Sequence, residues 1–583
     1  MCFSRPFLAC ITVTATLTLF SACMEPLLST IDEVIVAENT PGGSTVPLNG
    51  AFIGPDDTVR IRFSESMDRG SLELQGSLAE NAAEPEWRSI LSADDAVELS
   101  PASSWPLYEE LSLSARATSA RGYLSRPIDA SVTAVDTIVY VSQERGSPDG
   151  IGSLTSPFAS ISMALERVAE RRADGALDRQ EIRVAAGQYT SELGVGPGVL
   201  LVGGYDQDFV DRSPGTSTVQ GPEGSASTLR LEDDGETVID AVVDGFTVNE
   251  PINADAFVDP EGSGARQAVV YLNNGRLLLR DSTVVSSHVP GVLVTSDALS
   301  AELIRVHVRG PSSGEVLVAL QVEGSIVGVE ESTFELGNLS GYGMEAVATV
   351  VVDSARLDFN RSVVVAPRGE VAESMGIFLR SQSGSLRFDN GLIDGGSGGS
   401  AYGIHSVQDD TEVSVRNSTI RVGDASESSI ASAVGILGVG NLAIGFGTDV
   451  TLVVQNSLIF GSGQPNSAGI SYYEFGTIRN NNIFNVGTAG YLVGSLGFTQ
   501  SQSIAELEDP ISIGPTASGN LALDPVLVDS RPLYEAGVDW SLSDSSPSEI
   551  AEGGLLLGDV GVDAQDFVGV SRGGTWSIGA FQP

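Results

Sequence analysis

Lysine is absent from this chain of 583 residues, so all 31 basic residues are arginines, set against 76 acidic residues. The formal net charge is −45, and such an acidic chain is repelled by the phosphates of nucleic acids and by anionic lipid headgroups. We therefore expect no nucleic-acid partner. The composition leaves Ca²⁺ open as a weakly bound cofactor, because acidic side chains supply the oxygen ligands that it prefers.

Cysteine is also scarce: Cys2, Cys10 and Cys23 are all there is. This excludes an intrachain disulfide or a thiolate metal site beyond the first 23 residues. The three histidines are scattered, so the sequence predicts no metal site. Residues 1–22 have one basic residue, Arg5, before an apolar run from Phe7 to Phe20, which is typical of a signal peptide and too short for a spanning helix.

Small residues directly before Cys23 resemble the lipobox of bacterial lipoproteins, although Phe20 departs from the usual aliphatic residue. The resemblance implies that Cys23 is lipidated and that residues 23–33 form a linker. Met24, rather than Asp, then favours the outer membrane or cell surface, with the lipid anchor as the contact to the membrane. An ordinary secretory signal with an incidental cysteine is the alternative.

What the chain does have is a strand-like run followed by a small polar pair, repeated through its second half. The polar positions are Asp281, Arg305, Glu331, Arg361, Asn390, Asn417, Asn456 and Asn481, spaced by 24 to 39 residues. A repeat of this length that carries strands rather than helices is typical of a solenoid. For Asn390, Asn417, Asn456 and Asn481 we expect a structural ladder, because asparagine tolerates left-handed turns and stacked amides bond between coils.

Residues 34–135 predict a separate β-sandwich. Val59, Ile61 and Phe63 alternate with polar residues, and further short strands with turn residues follow to about Gly122. The phrase at Thr58–Asp68, with the tryptophan that follows, resembles the bacterial Ig-like domain of S-layer and surface proteins. That resemblance implies a spacer or adhesion module.

Residues 136–583 resemble the pectate-lyase-like right-handed parallel β-helix proteins, specifically a domain of unknown function with a helical N-terminal cap. Tyr140-Val141-Ser142, Pro157-Phe158 and Gly203-Gly204-Tyr205-Asp206 carry the resemblance at one end. It implies helix-capped coils over residues 136–210. At the other end Ile578-Gly579-Ala580-Phe581 resembles the closing turns of such proteins, which implies closing coils over residues 520–583. The predicted class is all-β: a β-helix behind an Ig-like sandwich.

Glycine-led strands within the coils predict one row of outward side chains. The row comprises Glu345, Phe378, His405, Leu437 and Ser471, and the next row includes Arg380 and Tyr473. Glu345, Phe378 and Tyr473 could line a groove for sugar rings together with Arg380 and His405. Half of the row is apolar, however, so packing under a loop is the alternative.

Acid–base hydrolysis of a glycoside needs two carboxylates, and Asp409-Asp410 is the best acidic pair in the coils. Adjacent aspartates in a turn are usually solvated, so catalysis by Asp409, Asp410, His405 or Arg380 is a weak hypothesis. We therefore expect a lipid-anchored surface module that binds carbohydrate or another surface ligand. A polysaccharide lyase or glycosidase is the first alternative, and an adhesin for a surface protein or glycan is the second.

Overall fold

The structure is a computed structural model, and it describes residues 31–37, 51–53 and 58–582 with internal gaps. The gaps are 64–65, 90–93, 95, 107–108, 121, 123, 126–127, 135–137, 174–179, 197, 232–239, 255–265, 314–316, 382, 408–409, 427–432, 439–450, 466, 472–474, 488, 496–497, 509–515, 534, 536–537, 556, 558–564, 571 and 573–575. The predicted signal peptide and Cys23 lie outside the described residues. Within the described residues, no helix is long and apolar enough to cross a membrane.

The N-terminal unit consists of two four-stranded sheets. One has the order β1 (Ile31–Ala37), β3 (Thr58–Phe63), β6 (Ala96–Leu99), β5 (Glu86–Arg88); the other has the order β2 (Ala51–Ile53), β8 (Ile128–Ala134), β7 (Glu110–Arg116), β4 (Glu73–Gln75). A 3₁₀ turn at Arg69–Ser71 and helix α1 (Ser77–Asn81) accompany them. Alternating apolar residues of both sheets, such as Ile61 and Leu113, share one core. This is a two-sheet sandwich, and its Ig-like kinship stays a prediction.

The rest of the chain is a right-handed parallel β-helix in which each coil gives one strand to each of three long sheets. Sheet 1 contains β9 (Ile138–Val141), β10 (Gln180–Ala185), β13 (Val199–Tyr205), β16 (Asp240–Asp244), β19 (Gly275–Arg280), β22 (Ala298–Ile304), β25 (Ile326–Glu330), β28 (Arg356–Asn360), β31 (Ser385–Asp389), β35 (Glu412–Arg416), β39 (Thr451–Gln455), β42 (Phe475–Arg479) and β46 (Thr516–Ser518).

Sheet 2 contains β11 (Gly187–Thr190), β14 (Ser217–Gln220), β17 (Phe246–Asn249), β20 (Thr283–Val285), β23 (His307–Arg309), β26 (Thr333–Glu335), β29 (Val363–Val365), β32 (Leu392–Asp394), β36 (Thr419–Arg421), β40 (Leu458–Phe460) and β43 (Asn482–Phe484). Sheet 3 contains β12 (Leu193–Gly194), β15 (Leu229–Leu231), β18 (Val270–Leu272), β21 (Val292–Val294), β24 (Leu320–Glu323), β27 (Asn338–Asp353), β30 (Arg368–Leu379), β34 (Ser400–Ser406), β38 (Ala433–Gly438), β41 (Ser467–Ser471), β44 (Ala489–Ser495) and β45 (Phe498–Gln502). A small side sheet pairs β33 (Ser397–Gly398) with β37 (Asp424–Ala425).

The interior is a continuous apolar column, because the inward residues of each coil stack on those of the next. Phe334, Phe359 and Phe388 form one such stack, with ring centroids 5.8 and 5.3 Å apart. These contacts bury large aromatic surfaces between coils and therefore fix the register of sheet 1.

The turn between sheets 1 and 2 follows the predicted polar register. Asp281, Arg305, Glu331, Arg361, Asn390, Asn417 and Asn456 all have positive φ, but in the last coil this position is Asn480 rather than Asn481. The predicted amide ladder exists between the asparagines: the Nδ2 atoms of Asn417 and Asn456 donate to the preceding Asn Oδ1 at 3.4 and 3.0 Å. Asn481 instead continues the row of buried serines one residue later, since its Oδ1 accepts from the Ser457 amide.

Both ends of the interior are covered. Helix α2 (Ile161–Ala173) contributes Ile161, Ala164 and Val168 to the core at the first coils. At the far end β45 turns antiparallel to β44, and helix α3 (Ile504–Leu507) buries Leu507 in the same core. These caps remove exposed strand edges and apolar cross-sections that would otherwise pair with other chains.

The C-terminal segment, residues 521–582, corrects the expectation of closing coils. Among its described residues, Leu521 alone extends a sheet, through a bridge to Asn482. Trp540, Ala580 and Phe581 pack on the outer face of sheet 2, and Ile550 of helix α4 (Ser548–Ala551) packs with Leu542 and Ile578 of the same segment. Trp540 and Phe581 contact Leu392, Leu458 and Phe460 there, because these outward side chains are apolar and need a cover.

Candidate functional site

Most described outward positions on sheet 1 are accessible to solvent at least in part. From β19 to β39 its outward positions are exposed or half-buried, and the alternating inward positions are buried. Two outward residues depart from this pattern: Asp389 in β31 and Ser414 in β35 are buried. At these two outward positions the side chain is surrounded by other protein atoms rather than by solvent, which makes this part of the face different from the rest.

Arginine is concentrated on this face relative to the whole chain. From β16 to β42 the described outward side chains include six arginines, Arg276, Arg280, Arg356, Arg387, Arg416 and Arg479, and six acids, Asp244, Glu302, Glu330, Asp358, Asp389 and Glu412. The chain as a whole has 31 basic and 76 acidic residues. The outer face of sheet 1 is therefore close to neutral although the protein is strongly acidic.

The strand register places five polar residues of this face together, and we call them the sheet 1 cluster. In the strand register, Arg387 lies opposite Asp358 of β28 and opposite Ser414 of β35. Asp389 lies opposite Arg416 of β35. Within β31, the Arg387 Nε donates to the Asp389 Oδ2 at 2.5 Å. Parallel strands lie about 4.8 Å apart, so the five side chains rise from one compact patch of backbone.

Two side chains of this cluster hold buried polar atoms. Among the described residues, neither the Asp389 Oδ1 nor the Ser414 Oγ has a hydrogen-bond partner, and the same is true of side-chain atoms of Gln180, Ser325 and Ser471 in other coils. Asp389 is 3% exposed and Ser414 is 6% exposed. An unsatisfied buried acceptor costs about 1–3 kcal/mol, so this part of the face is destabilising by itself.

Burial raises the pKa of Asp389 above its ordinary value, and the Arg387 guanidinium opposes that shift. The nearby Asp358 carboxylate adds to the rise, because two negative charges repel. Asp358 lies diagonally from Asp389 on the neighbouring strand, which corresponds to a backbone separation of about 8 Å.

On sheet 3 the structure brings together most of the predicted outward row. Phe378, His405, Leu437 and Ser471 follow one another in strand register. Glu345 does not belong to this row, because Phe378 lies opposite Val351 in the strand register. The strand β27 is long and irregularly paired, so the position of Gly343 does not predict which of its residues lies opposite Phe378. The Glu345 side chain and Tyr473 lie outside the described residues.

His405 is a packed residue rather than a groove residue. It is 8% exposed, its Nδ1 lies 3.2 Å from the Met375 Sδ, and its ring lies against those of Tyr402 and Phe378 at 4.8 and 5.5 Å. Burial lowers the pKa of His405 to about 4, so the ring is neutral at ordinary pH. This favours the alternative in which the row packs under a cover.

The remaining predicted residues are dispersed. Arg380 is exposed and pairs with Asp353 at 2.5 Å. Asp410 is exposed in a bend with φ of 56°, and Asp409 lies outside the described residues. Within the part of the chain that the structure describes, no three His, Cys, Asp or Glu residues are grouped to hold a metal ion. Ca²⁺ binding stays a prediction.

Asp389 and Ser414 are not among the residues that the sequence predicts for a site. The signal lies in the outward positions of two consecutive repeats: Arg387 and Asp389, then Ser414 and Arg416, face the same side. Reading these positions across coils, rather than the glycine-led strands of sheet 3, would have found the pair.

Comparison with known proteins adds two solved β-helix structures. No family model matches the chain, and no curated protein matches it. The family 28 exopolygalacturonase of Yersinia enterocolitica is 10% identical, with a TM-score of 0.26 over 85% of this chain and 100% of that chain. The pectin methylesterase of Aspergillus niger is also 10% identical, with a TM-score of 0.21 over 72% of this chain and 94% of that chain.

Proposed function

We propose that this protein is a surface module that binds polysaccharide along the outer face of sheet 1. The observation that supports the proposal is that the outward positions of sheet 1 carry arginines and acids in equal number, on strands whose outward side chains are mostly exposed or half-buried. Sugar rings offer many hydroxyl groups that donate and accept, which suits a face of alternating guanidinium, carboxylate and hydroxyl groups.

The geometry of the sheet supports an extended ligand. Successive strands present equivalent outward positions at about 4.8 Å, so a linear chain laid across the strands meets a repeating set of polar groups. Arg356, Arg387 and Arg416 lie on three successive strands of sheet 1, each one outward position further along its strand, so they form a diagonal line across the sheet. Their planar guanidinium groups can each bond two ligand oxygens, which fixes the orientation of a flexible glycan.

Affinity electrophoresis in gels that contain single polysaccharides tests the proposal. The Arg387→Ala, Arg416→Ala double variant should lose retardation by the glycan that binds the wild type. Arg380→Ala is the matched control, because Arg380 is an exposed, carboxylate-paired arginine that directly follows β30 of sheet 3 and is not on sheet 1. Equal retardation of wild type and double variant would contradict the proposal.

A second candidate function is glycoside hydrolysis, favoured by one observation: Asp389 has a raised pKa beside Asp358 at a diagonal spacing. Asp389 would act as the general acid and Asp358 as the general base. Release of reducing ends by the wild type, abolished in Asp389→Asn and in Asp358→Asn but retained in His405→Ala, would establish hydrolysis. If the wild type binds a glycan but releases no reducing ends from it, hydrolysis is contradicted and the binding function is supported.

The location of the module is proposed from the sequence alone. A lipid on Cys23 would anchor the protein to the outer membrane or cell surface, and along the chain the N-terminal sandwich follows Cys23 and precedes the β-helix. Incorporation of a labelled fatty acid into the wild type, and its loss in Cys23→Ala, tests this. Labelling that survives the substitution would contradict it.

A further inference from the structure

The Asp524–Pro525 peptide bond lies where the chain leaves the β-helix for the residues that pack on sheet 2. On its N-terminal side, the Leu523 amide donates to the Asn482 Oδ1 at 2.9 Å, and the Asn482 Nδ2 donates to the Leu523 carbonyl at 2.8 Å. Asn482 belongs to β43, the last strand of sheet 2. The chain is therefore held to the β-helix as far as the residue before Asp524.

The chain is held on the other side of this bond as well. The Ser546 Oγ donates to the carbonyl oxygen of Pro525 at 2.6 Å, and the Ser543 amide donates to that of Val526 at 3.1 Å. Both serines belong to the C-terminal segment, shortly before helix α4. Because the chain is hydrogen-bonded on both sides, the bond keeps one geometry, and a reaction between neighbouring groups is fastest when their geometry is fixed.

The turn after this bond is strained. Val526 has φ of 49°, and it is the only β-branched residue with positive φ in the described part of the chain. A side chain that branches at Cβ fits this left-handed region poorly. The Asp524 Oδ1 accepts a hydrogen bond from the Val526 amide at 2.9 Å, which stabilises the turn and keeps the carboxyl group beside the bond. Asp524 and Val526 are both exposed, so water and acid reach this place.

We propose that the Asp524–Pro525 bond cleaves itself in acid. A carboxyl oxygen of Asp524 attacks the carbonyl carbon of the same residue, and a five-membered cyclic anhydride forms. The bond from this carbon to the Pro525 nitrogen breaks, and the carboxyl proton passes to that nitrogen. Water then opens the anhydride, so Asp524 ends with its side-chain carboxyl group and a new α-carboxyl group, and Pro525 becomes a free amine.

Proline suits the leaving side of this reaction. Its nitrogen has no N–H and bears two alkyl groups, so the amine that leaves is secondary and takes up a proton readily. Breaking the bond also frees the turn at Val526 from the chain before it, which releases strain that the intact chain stores there.

Cleavage does not by itself remove the covering residues from sheet 2. The Leu533 amide still donates to the buried Asp394, and Asn456 still bonds Leu555. The cut therefore converts a covalently attached segment into one that non-covalent contacts alone hold on the β-helix. This inference is independent of the proposed function, because no atom of the outer face of sheet 1 takes part.

Mass spectrometry of the folded full-length protein at about pH 4, where an ordinary aspartate is half protonated, tests the proposal. A new N-terminus that begins Pro525-Val526-Leu527 should appear. The same dipeptide occurs at Asp259–Pro260 and Asp509–Pro510, outside the described residues, and both serve as internal controls. The bond after Asp524 should cleave about tenfold faster than either in the folded protein, and all three should cleave at similar rates in denaturant.

Two variants test the route. Asp524→Asn should abolish the cut over the same time, because the amide has no carboxyl proton to transfer. Asp524→Glu keeps a carboxyl group but needs a six-membered ring, so it should slow the cut at least about tenfold. Neither variant should change cleavage after Asp259 or Asp509. Circular dichroism at the same pH checks that both variants are folded.

Two results would overturn the proposal: cleavage after Asp524 no faster than at the other two bonds in the folded protein, or an unchanged rate in Asp524→Asn. After return to neutral pH, the cut segment should co-elute with the β-helix in gel filtration and separate from it in denaturant. Separation without denaturant would contradict the contacts that hold the cut segment in place.

Discussion

The outer faces of sheet 1 and sheet 2 arise from the same coils, yet most outward positions of sheet 1 are exposed or half-buried, whereas C-terminal residues pack on part of sheet 2. Sheet 1 presents charged and hydroxyl side chains outward along most of its length. Sheet 2 changes along its length: Thr283, His307 and Thr333 are half-buried, whereas Leu392 and Leu458 are buried. The chemistry of one outward position per coil thus decides whether a face meets solvent or a covering segment.

The cover on sheet 2 is held by polar contacts as well as by apolar packing. The buried Asp394 accepts from the Leu533 amide at 2.7 Å and pairs with the buried Arg421 at 3.2 Å. Asn456 bonds both the amide and the carbonyl of Leu555, at 2.7 and 2.6 Å. On sheet 2 such buried groups have partners from the C-terminal segment, whereas on sheet 1 the Asp389 Oδ1 has none among the described residues.

The sharpest way to separate the two faces is to remove the largest contact of the covered one. Trp540→Ala should lower the free energy of unfolding by about 3–5 kcal/mol, since Trp540 is 1% exposed and packs on Phe460. Chemical denaturation monitored by circular dichroism measures this. Arg356→Ala, on the outer face of sheet 1, is the comparison and should cost less than about 1 kcal/mol; equal losses would contradict the distinction.

Breaking the buried ion pair should have a comparable effect. Asp394→Ala leaves Arg421 buried with only its bond to Asp424, and such losses cost about 3–5 kcal/mol. The measurement is again denaturant unfolding. Arg356 and Asp358 form the exposed counterpart, so Asp358→Ala should cost about 1 kcal/mol or less. A loss for Asp394→Ala no larger than that for Asp358→Ala would show that the pair is not stabilising the cover.

The Asn456 position tests the turn that joins the two faces. Asn456→Ala should cost about 2–3 kcal/mol, because it removes the bonds to Asn417 and Leu555 and places alanine at φ of 51°. Asn456→Gly loses the same side-chain bonds but tolerates the backbone angle. Glycine should therefore be the milder substitution by about 1 kcal/mol, and a harsher effect of glycine would refute the role of the left-handed turn.

The smallest predicted effect is a pH dependence of the outer face of sheet 1. Because the pKa of Asp389 is raised on folding, the native state binds the proton more tightly than the unfolded chain. Stability from this group is fully present below its unfolded pKa of about 3.9 and is lost as pH rises through its folded pKa. Across that pH window, the melting temperature should fall less steeply with rising pH in Asp389→Asn than in the wild type. An unchanged pH dependence of the melting temperature would contradict the raised pKa.

The repeat of strand and polar pair predicted much of the β-helix correctly. It located the strands of sheets 1 and 2 from β19 to β43, and seven of its eight turn positions have positive φ, because backbone geometry at each turn selects the residue types. Asn481 was misplaced by one residue, since Asn480 and Asn481 are chemically identical and only the coil geometry distinguishes them.

Contacts between distant parts of the chain could not be predicted in the same way. The packing of residues 521–582 on sheet 2 depends on pairs such as Asp394 with Leu533, which are 139 residues apart. The predicted position of Glu345 was wrong because β27 contains irregular pairing that shifts the register of the strand. Local periodicity predicts the strands of each coil, but it does not predict which other segment of the chain packs on the outward side of the coil.

Protection of an engineered thiol tests the central claim that sheet 1 carries the glycan-binding face. Because the three cysteines lie at or before Cys23, a chain that begins at Met24 with Ser385→Cys carries one thiol, beside Arg387 on the outer face of sheet 1. Thr333→Cys places one on sheet 2 instead. A bound polysaccharide should slow alkylation of the thiol at position 385 severalfold and leave that at position 333 unchanged. Equal rates at position 385 with and without a polysaccharide that demonstrably binds would contradict the account.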